Sequence, residues 1–62
     1  MSKPRISKIK AKEIILSNIE KGFTFNDTYE AILRNFKLSE PTFSTYWKEC
    51  QKEYIERQKR LE

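Results

Sequence analysis

Two clusters of cationic and hydroxyl side chains carry the chemistry that this sequence offers, which is the binding of anionic groups. Residues 1–12 hold five basic side chains and no acidic one, whereas the rest of the chain holds eight basic and nine acidic ones. Such a basic segment can pair with phosphate, and a solvated tail that aids solubility is the competing interpretation. The candidate phosphate or minor-groove contacts in it are Lys3, Arg5, Lys8 and Lys10.

The second cluster lies between residues 37 and 48. Short hydroxyls and lysines there can approach base edges and phosphates closely. Glu40 works against this reading because a carboxylate repels phosphate, although it can accept a hydrogen bond from a cytosine amine and favours a helix N-terminus. The candidate contacts in this cluster are Lys37, Ser39, Thr42, Ser44, Thr45 and Lys48.

The sequence lacks most of the residues on which catalysis and metal binding usually depend. The chain has no histidine, one cysteine and one glycine, whereas common zinc sites need several histidines or cysteines and phosphate loops need several glycines. A serine or cysteine nucleophile needs a base held in a pocket, which short helices do not form. We therefore expect no enzymatic activity, no cofactor and no metal ion.

Length and composition predict one small domain. The chain has 62 residues, 37% of them hydrophobic and 35% charged, a balance that suits amphipathic helices around a thin core. Eight aromatic residues argue against disorder. No apolar run approaches the ~20 residues of a membrane span. The lone Cys50 and the Met-Ser-Lys-Pro-Arg start predict a cytoplasmic protein.

Apolar spacing predicts an all-α domain over 8–62, preceded by a flexible basic arm over 1–7. We expect three helices over 8–21, 25–36 and 40–60, with no strand. Gly22 should end the first helix in a left-handed cap, while Thr24 and Ser39 should cap the starts of the other two. The residues 37–39 should form a tight turn before a long C-terminal helix.

Each predicted helix has an apolar stripe that should face the core. The third stripe includes Cys50, which we read as a small buried hydrophobe, and Trp47, which we place in the core although it could stack on bases; Tyr46 is open to either role. The three stripes are, in order, Ile9, Ala11, Ile15, Leu16, Ile19; Phe25, Tyr29, Ile32, Leu33, Phe36; Phe43, Trp47, Cys50, Tyr54, Leu61.

A short helix, a tight turn and a helix opened by Ser39 form the arrangement of a helix-turn-helix, whose second helix can enter the major groove. Leu16 through Trp47 resembles the N-terminal helix-turn-helix of phage small terminase subunits and related homeodomain-like modules. The matching residues are Gly22, Thr24, Leu38, Ser39, Thr42, Phe43 and Trp47. The resemblance implies recognition of a packaging or regulatory site on viral or mobile-element duplex DNA.

Leu33 and Lys37 depart from that pattern, in which a small residue and a glycine are usual, so we expect an altered turn. Three-helix domains that bind no DNA are the simpler alternative. In a further alternative, the long helix docks Tyr54, Ile55 and Leu61 onto a protein partner or a second copy. The mixed charges between Glu49 and Glu62 predict pairs within that helix, four residues apart.

Overall fold

The computed structural model describes residues 3–60. It consists of three helices, α1 (Lys8–Glu20), α2 (Phe25–Leu33) and α3 (Glu40–Arg60). The all-α fold with a long C-terminal helix is confirmed. Within the described residues the only β-type backbone pairing is one isolated parallel β-bridge between Arg5 and Lys37.

The helix ends follow from local hydrogen bonding. The Ser7 hydroxyl accepts from the Lys10 N–H and begins α1, and the Thr24 hydroxyl accepts from the Asp27 N–H and begins α2. After α1 the Gly22 N–H bonds to the Ile19 carbonyl, and the next N–H bonds back to Asn18. This motif needs a left-handed residue, and Gly22 has φ +87°. The predicted caps at Gly22 and Thr24 are confirmed.

Phe43 is the centre of the core. It is fully buried and touches α2 through two rings, with centroids 4.9 Å away at Phe25 and 4.8 Å away at Tyr29. Ile15 and Ile32 complete the centre from α1 and α2. One aromatic residue of α3 thus joins all three helices, and its burial is the largest single hydrophobic contribution here.

The helices α1 and α3 run in the same direction along their shared interface. Lys8 lies beside Tyr46, Lys12 beside Glu49, and Glu20 beside Arg57, so residue numbers rise together on both helices. The helix α2 crosses the first turns of α3 in the opposite sense. Over residues 51–59 the side chains of α3 are exposed except for the half-buried Tyr54.

The segment before α1 is part of the domain. Ile6 is buried in the core, and the Pro4 carbonyl accepts a 2.8 Å hydrogen bond from the Lys37 N–H. The Lys3 ammonium donates to the Leu33 carbonyl. Residues 3–6 of the segment expected to be a flexible arm are therefore packed against the loop that follows α2.

That packing explains why α2 ends three residues before the predicted Phe36. In a continuing helix the Lys37 N–H would bond to the Leu33 carbonyl. Here the Lys37 N–H bonds to Pro4, and the Leu33 carbonyl accepts from Lys3. The turn accordingly spans residues 34–39 rather than 37–39, with Lys37 extended and no positive φ in its described residues.

The core of α1 also differs from the predicted stripe. Ile9 is 75% exposed, because a position two residues before the buried Ala11 lies on nearly the opposite side of a helix. Ile6 and Asn18, which were not expected there, are buried. On α3, Phe43 and Cys50 are buried as predicted and Trp47 is half-buried against them, while Leu61 lies outside the described residues.

Replacing Phe43 should nearly exhaust the stability of so small a domain. We expect Phe43→Ala to lower the free energy of unfolding by about 3–5 kcal/mol, because the cavity lies between all three helices. Trp47→Ala should cost less, since that side chain stays partly exposed. Thermal denaturation followed by circular dichroism measures both; equal, small losses would mean that Phe43 is not the centre of the core.

Thr28 offers a stabilising change. Its hydroxyl is fully buried and has no hydrogen-bond partner within the described residues. Thr28→Val keeps the shape and removes the unpaired group, so we expect a gain of about 1 kcal/mol in urea denaturation. As a control, Thr24→Val removes a cap and should cost about 1 kcal/mol. A loss at Thr28→Val would reveal a buried water as the missing partner.

Candidate nucleic-acid interface

A shallow cleft lies where the N-terminal segment meets the α2–α3 loop and the first turns of α3. It has a volume of about 430 Å³. Its rim carries two cations and two hydroxyls, and its floor is apolar. We call it the N-terminal cleft; its lining residues are Arg5, Ile6, Lys37, Leu38, Ser39, Thr42 and Tyr46.

The two cations of the N-terminal cleft are directly paired through their backbones. Arg5 and Lys37 face each other across the isolated bridge, and both are exposed. Like charges placed opposite each other on neighbouring extended segments are destabilising. Within residues 3–59, neither side chain forms an ion pair with an acidic group. The positive charge here is therefore uncompensated by the described part of the chain.

The hydroxyls of the cleft are linked to each other. The Ser39 hydroxyl donates to Thr42 Oγ1 at 2.8 Å, while the Ser39 carbonyl accepts from the Phe43 N–H at 2.9 Å. Thr42 is half-buried and Ser39 exposed. Thr42 keeps its own proton available for a ligand, since it accepts in this pair.

Tyr46 forms the far wall of the cleft and connects it to α1. The Lys8 ammonium lies 6.0 Å from the centre of the Tyr46 ring and 3.9 Å from a Glu49 carboxylate oxygen. Lys8 is therefore partly neutralised. Tyr46 is half-buried and packs against the core, and it also lines the cleft; its stacking on bases stays a prediction.

A second cationic surface runs along the outer side of α3. Lys48, Lys52 and Lys59 lie on one side of this helix, bordering a shallow groove, and together with them lie Gln51, Ile55 and Glu56. We call this surface the lysine stripe. Its three lysines outnumber its single carboxylate, and they span eleven residues, about 16 Å of helix.

Two of the four acidic residues of α3 face α1. Lys12 on α1 bonds to Glu49 at 3.3 Å and lies 3.5 Å from Glu53, and Arg57 lies 3.8 Å from Glu20. The predicted pairs within α3 are thus wrong for Glu49 and Glu53, because α1 supplies their partner. Exposed pairs like these add little stability, but they remove negative charge from the outer side of α3.

The structure divides the predicted contact residues among several places. Arg5, Lys37, Ser39 and Thr42 come together in the N-terminal cleft, and Lys48 lies in the lysine stripe. The Lys3 ammonium donates a hydrogen bond to the Leu33 carbonyl, and Lys8 forms an ion pair with Glu49. Lys10 is exposed on α1, away from both surfaces.

Ser44 does not share a face with Thr42, whereas Thr45, three residues after Thr42, lies next to it on the helix surface. Two residues apart on a helix means about 200° of rotation, so Ser44 projects away from the N-terminal cleft. The Thr45 hydroxyl donates to the Pro41 carbonyl at 3.1 Å. Thr42 lines the N-terminal cleft and Lys48 the lysine stripe, so the contact residues predicted on α3 are divided between two surfaces.

Lys52 and Lys59 are the contact candidates that the sequence analysis missed. Their mixture with glutamates along the sequence suggested an evenly charged helix. The spacing of Lys48, Lys52 and Lys59 by four and seven residues was the available signal, because it places all three on one side.

Within residues 3–59, no group of three potential metal-ligating side chains is close enough to hold an ion. No helix in the same part of the chain has the length and apolar character needed to cross a membrane. Comparisons with protein-family models, with curated proteins and with solved structures find no match to this chain.

The buried Cys50 and the paired Lys12 predict a loss of stability at alkaline pH. Burial raises the pKa of the Cys50 thiol above its ordinary 9.0, and the hydrogen bond to Glu49 raises the pKa of Lys12 above 10.5. Each contribution is complete below the unfolded-state pKa and is lost as the pH rises through the folded-state pKa. The melting temperature should therefore start to fall above pH 9, through Cys50 first.

Cys50→Ala provides the control for this pH dependence. The variant is less stable throughout, because it loses buried volume, but its melting temperature should vary less between pH 9 and pH 10 than that of the parent chain. Parallel curves for the two proteins over this interval would contradict the assignment to the thiol.

Proposed function

We propose that this chain is a non-catalytic DNA-binding domain that holds duplex DNA through the N-terminal cleft and the lysine stripe. The observation that carries the proposal is the distribution of charge on α3. Glu49 and Glu53 are paired with Lys12 of α1, so the outer side of the helix carries mainly lysines. A cationic helix surface next to a cationic cleft is the electrostatic footprint expected of a nucleic-acid-binding protein.

The two surfaces have different tasks in this proposal. Arg5, Lys37, Lys48 and Lys52 contact phosphates, which supplies most of the affinity. Thr42 and Gln51 are uncharged polar groups that line the same two surfaces, and they contact base edges or sugars. In keeping with the resemblance to phage small terminase subunits, we propose a helix-turn-helix that recognises a packaging or regulatory site on viral or mobile-element DNA.

Ile55 favours the alternative of a protein-docking helix. It is 53% exposed in the middle of the lysine stripe, whereas Tyr54 turns toward the core side and Leu61 lies outside the described residues. An exposed isoleucine among lysines suits a partner with an apolar side chain ringed by acids. Salt separates the alternatives: phosphate contacts weaken steeply as salt rises, whereas apolar docking does not.

The test is a titration of fluorescent duplex DNA with the parent chain and with Lys48→Gln/Lys52→Gln, at several salt concentrations. We expect the parent to bind with a Kd below about 100 μM at physiological salt. The double variant should bind more weakly to every sequence, and the slope of log affinity against log salt should fall by about two, one for each lost phosphate contact.

Lys21→Gln is the matched control, since it removes an exposed cation at the end of α1, outside both surfaces. It should keep the parent slope. Parent affinity no tighter than about 100 μM would defeat the DNA proposal in favour of protein docking. A loss of log affinity for Lys21→Gln half as large as that for the double variant, which removes two charges, would mean that net charge alone, and not the lysine stripe, sets the affinity.

A further inference from the structure

We infer that Arg5 and Lys37 form a site for one phosphate group, and that occupancy of this site fastens the N-terminal segment to the α2–α3 loop. The inference deepens the proposed function, because a phosphodiester of the bound nucleic acid would be the natural occupant. The site itself follows from the geometry of the N-terminal cleft.

The first step is that the backbone, and not an acid, holds the two cations together. The Lys37 N–H bonds to the Pro4 carbonyl at 2.8 Å, and the burial of Ile6 fixes the other side of Arg5. The two charged residues cannot separate without breaking this hydrogen bond and exposing Ile6. The fold therefore fixes the backbones of the two cationic residues next to each other.

The second step is that the cleft offers what a phosphate needs. Arg5 can present two parallel N–H groups to phosphate oxygens, and Lys37 adds a second charge. The Thr42 hydroxyl, whose oxygen accepts from Ser39, supplies a neutral donor on the same wall. Ile6 and Leu38 form an apolar floor and Tyr46 the far wall, which suits the sugar next to a phosphodiester.

The third step is that a bound phosphate reverses the effect of the two charges on stability, from destabilising to stabilising. Without an anion, Arg5 and Lys37 repel each other, so removing either charge relieves the bridge. With a phosphate between them, both charges attract it, and removing either one weakens the link between the segment and the loop. A ligand that binds only the folded state also raises its stability by mass action.

This assignment gives Arg5 a different task from that of a free arm. An arm that reaches into a minor groove must leave the domain surface, whereas Arg5 is paired with Lys37 and flanked by buried Ile6. Phosphate binding at the start of α3 is thus the task that its position permits. Lys3 is likewise held on the domain surface, because its ammonium donates a hydrogen bond to the Leu33 carbonyl.

The experiment compares melting temperatures in sodium phosphate and in sodium chloride at equal ionic strength and pH. The proteins are the parent, Arg5→Gln, Lys37→Gln and the control Lys21→Gln. Phosphate also stabilises proteins in general, by exclusion from their surfaces, so the measured quantity is the gain of each protein relative to Lys21→Gln.

We expect the parent and Lys21→Gln to gain about 5 °C in saturating phosphate. Arg5→Gln and Lys37→Gln should lose most of this gain, although in chloride they should melt at or above the parent temperature. Inorganic phosphate should also shift the amide signals of residues 5, 6 and 37–39 in the parent, with an affinity about tenfold weaker in either variant.

Equal phosphate gains in all four proteins, without shifts at these amides, would overturn the site. This outcome is distinct from failure of the proposed function. If duplex DNA binds and inorganic phosphate does not, the DNA proposal stands and the Arg5–Lys37 site falls. If phosphate binds at these amides and duplex DNA does not, the site stands for a different phosphate-bearing ligand.

Discussion

The hydrogen bond from the Lys37 N–H to the Pro4 carbonyl is the constraint on which the rest of this small structure depends. It takes from α2 the donor that would have continued the helix, and so it sets the length of the loop before α3. It also draws Ile6 into the core and leaves Arg5 opposite Lys37. One backbone pairing thus fixes a helix end, a core residue and the cationic part of the N-terminal cleft.

The packing of α1 against α3 also separates the acidic from the basic side chains of α3. Because Lys12 lies next to both Glu49 and Glu53, the carboxylates are turned toward the interface between the two helices. These exposed pairs contribute little to stability. Their effect is on the outer side of α3, which is left with Lys48, Lys52 and Lys59. These lysines make the proposed interface positively charged.

Local signals in the sequence predicted the helices well, because caps and apolar spacing act over a few residues. Gly22 and Thr24 are examples, and the ends of α1 and α3 lie within one residue of expectation. The end of α2 at Leu33 was not predictable, since it is set by Pro4, which lies 29 residues earlier in the chain. For the same reason the sequence placed Arg5 and Lys37 in two separate clusters of candidates and did not indicate that they are neighbours. The partner of Glu49 and Glu53 likewise lies on another helix.

The parallel course of α1 and α3 gives the molecule a permanent polarity. Peptide dipoles in the two helices add instead of cancelling, so each contributes about half a positive charge at its N-terminal end and half a negative charge at its C-terminal end. Both positive ends lie on the side of Lys8 and Ser39, where Arg5 and Lys37 also lie. In the field of a polyanion such a molecule experiences a torque before any contact forms, and it turns its N-terminal end forward as it diffuses closer. The rate of productive encounter would then depend on orientation acquired at a distance, and screening by salt would slow association as well as weaken the complex.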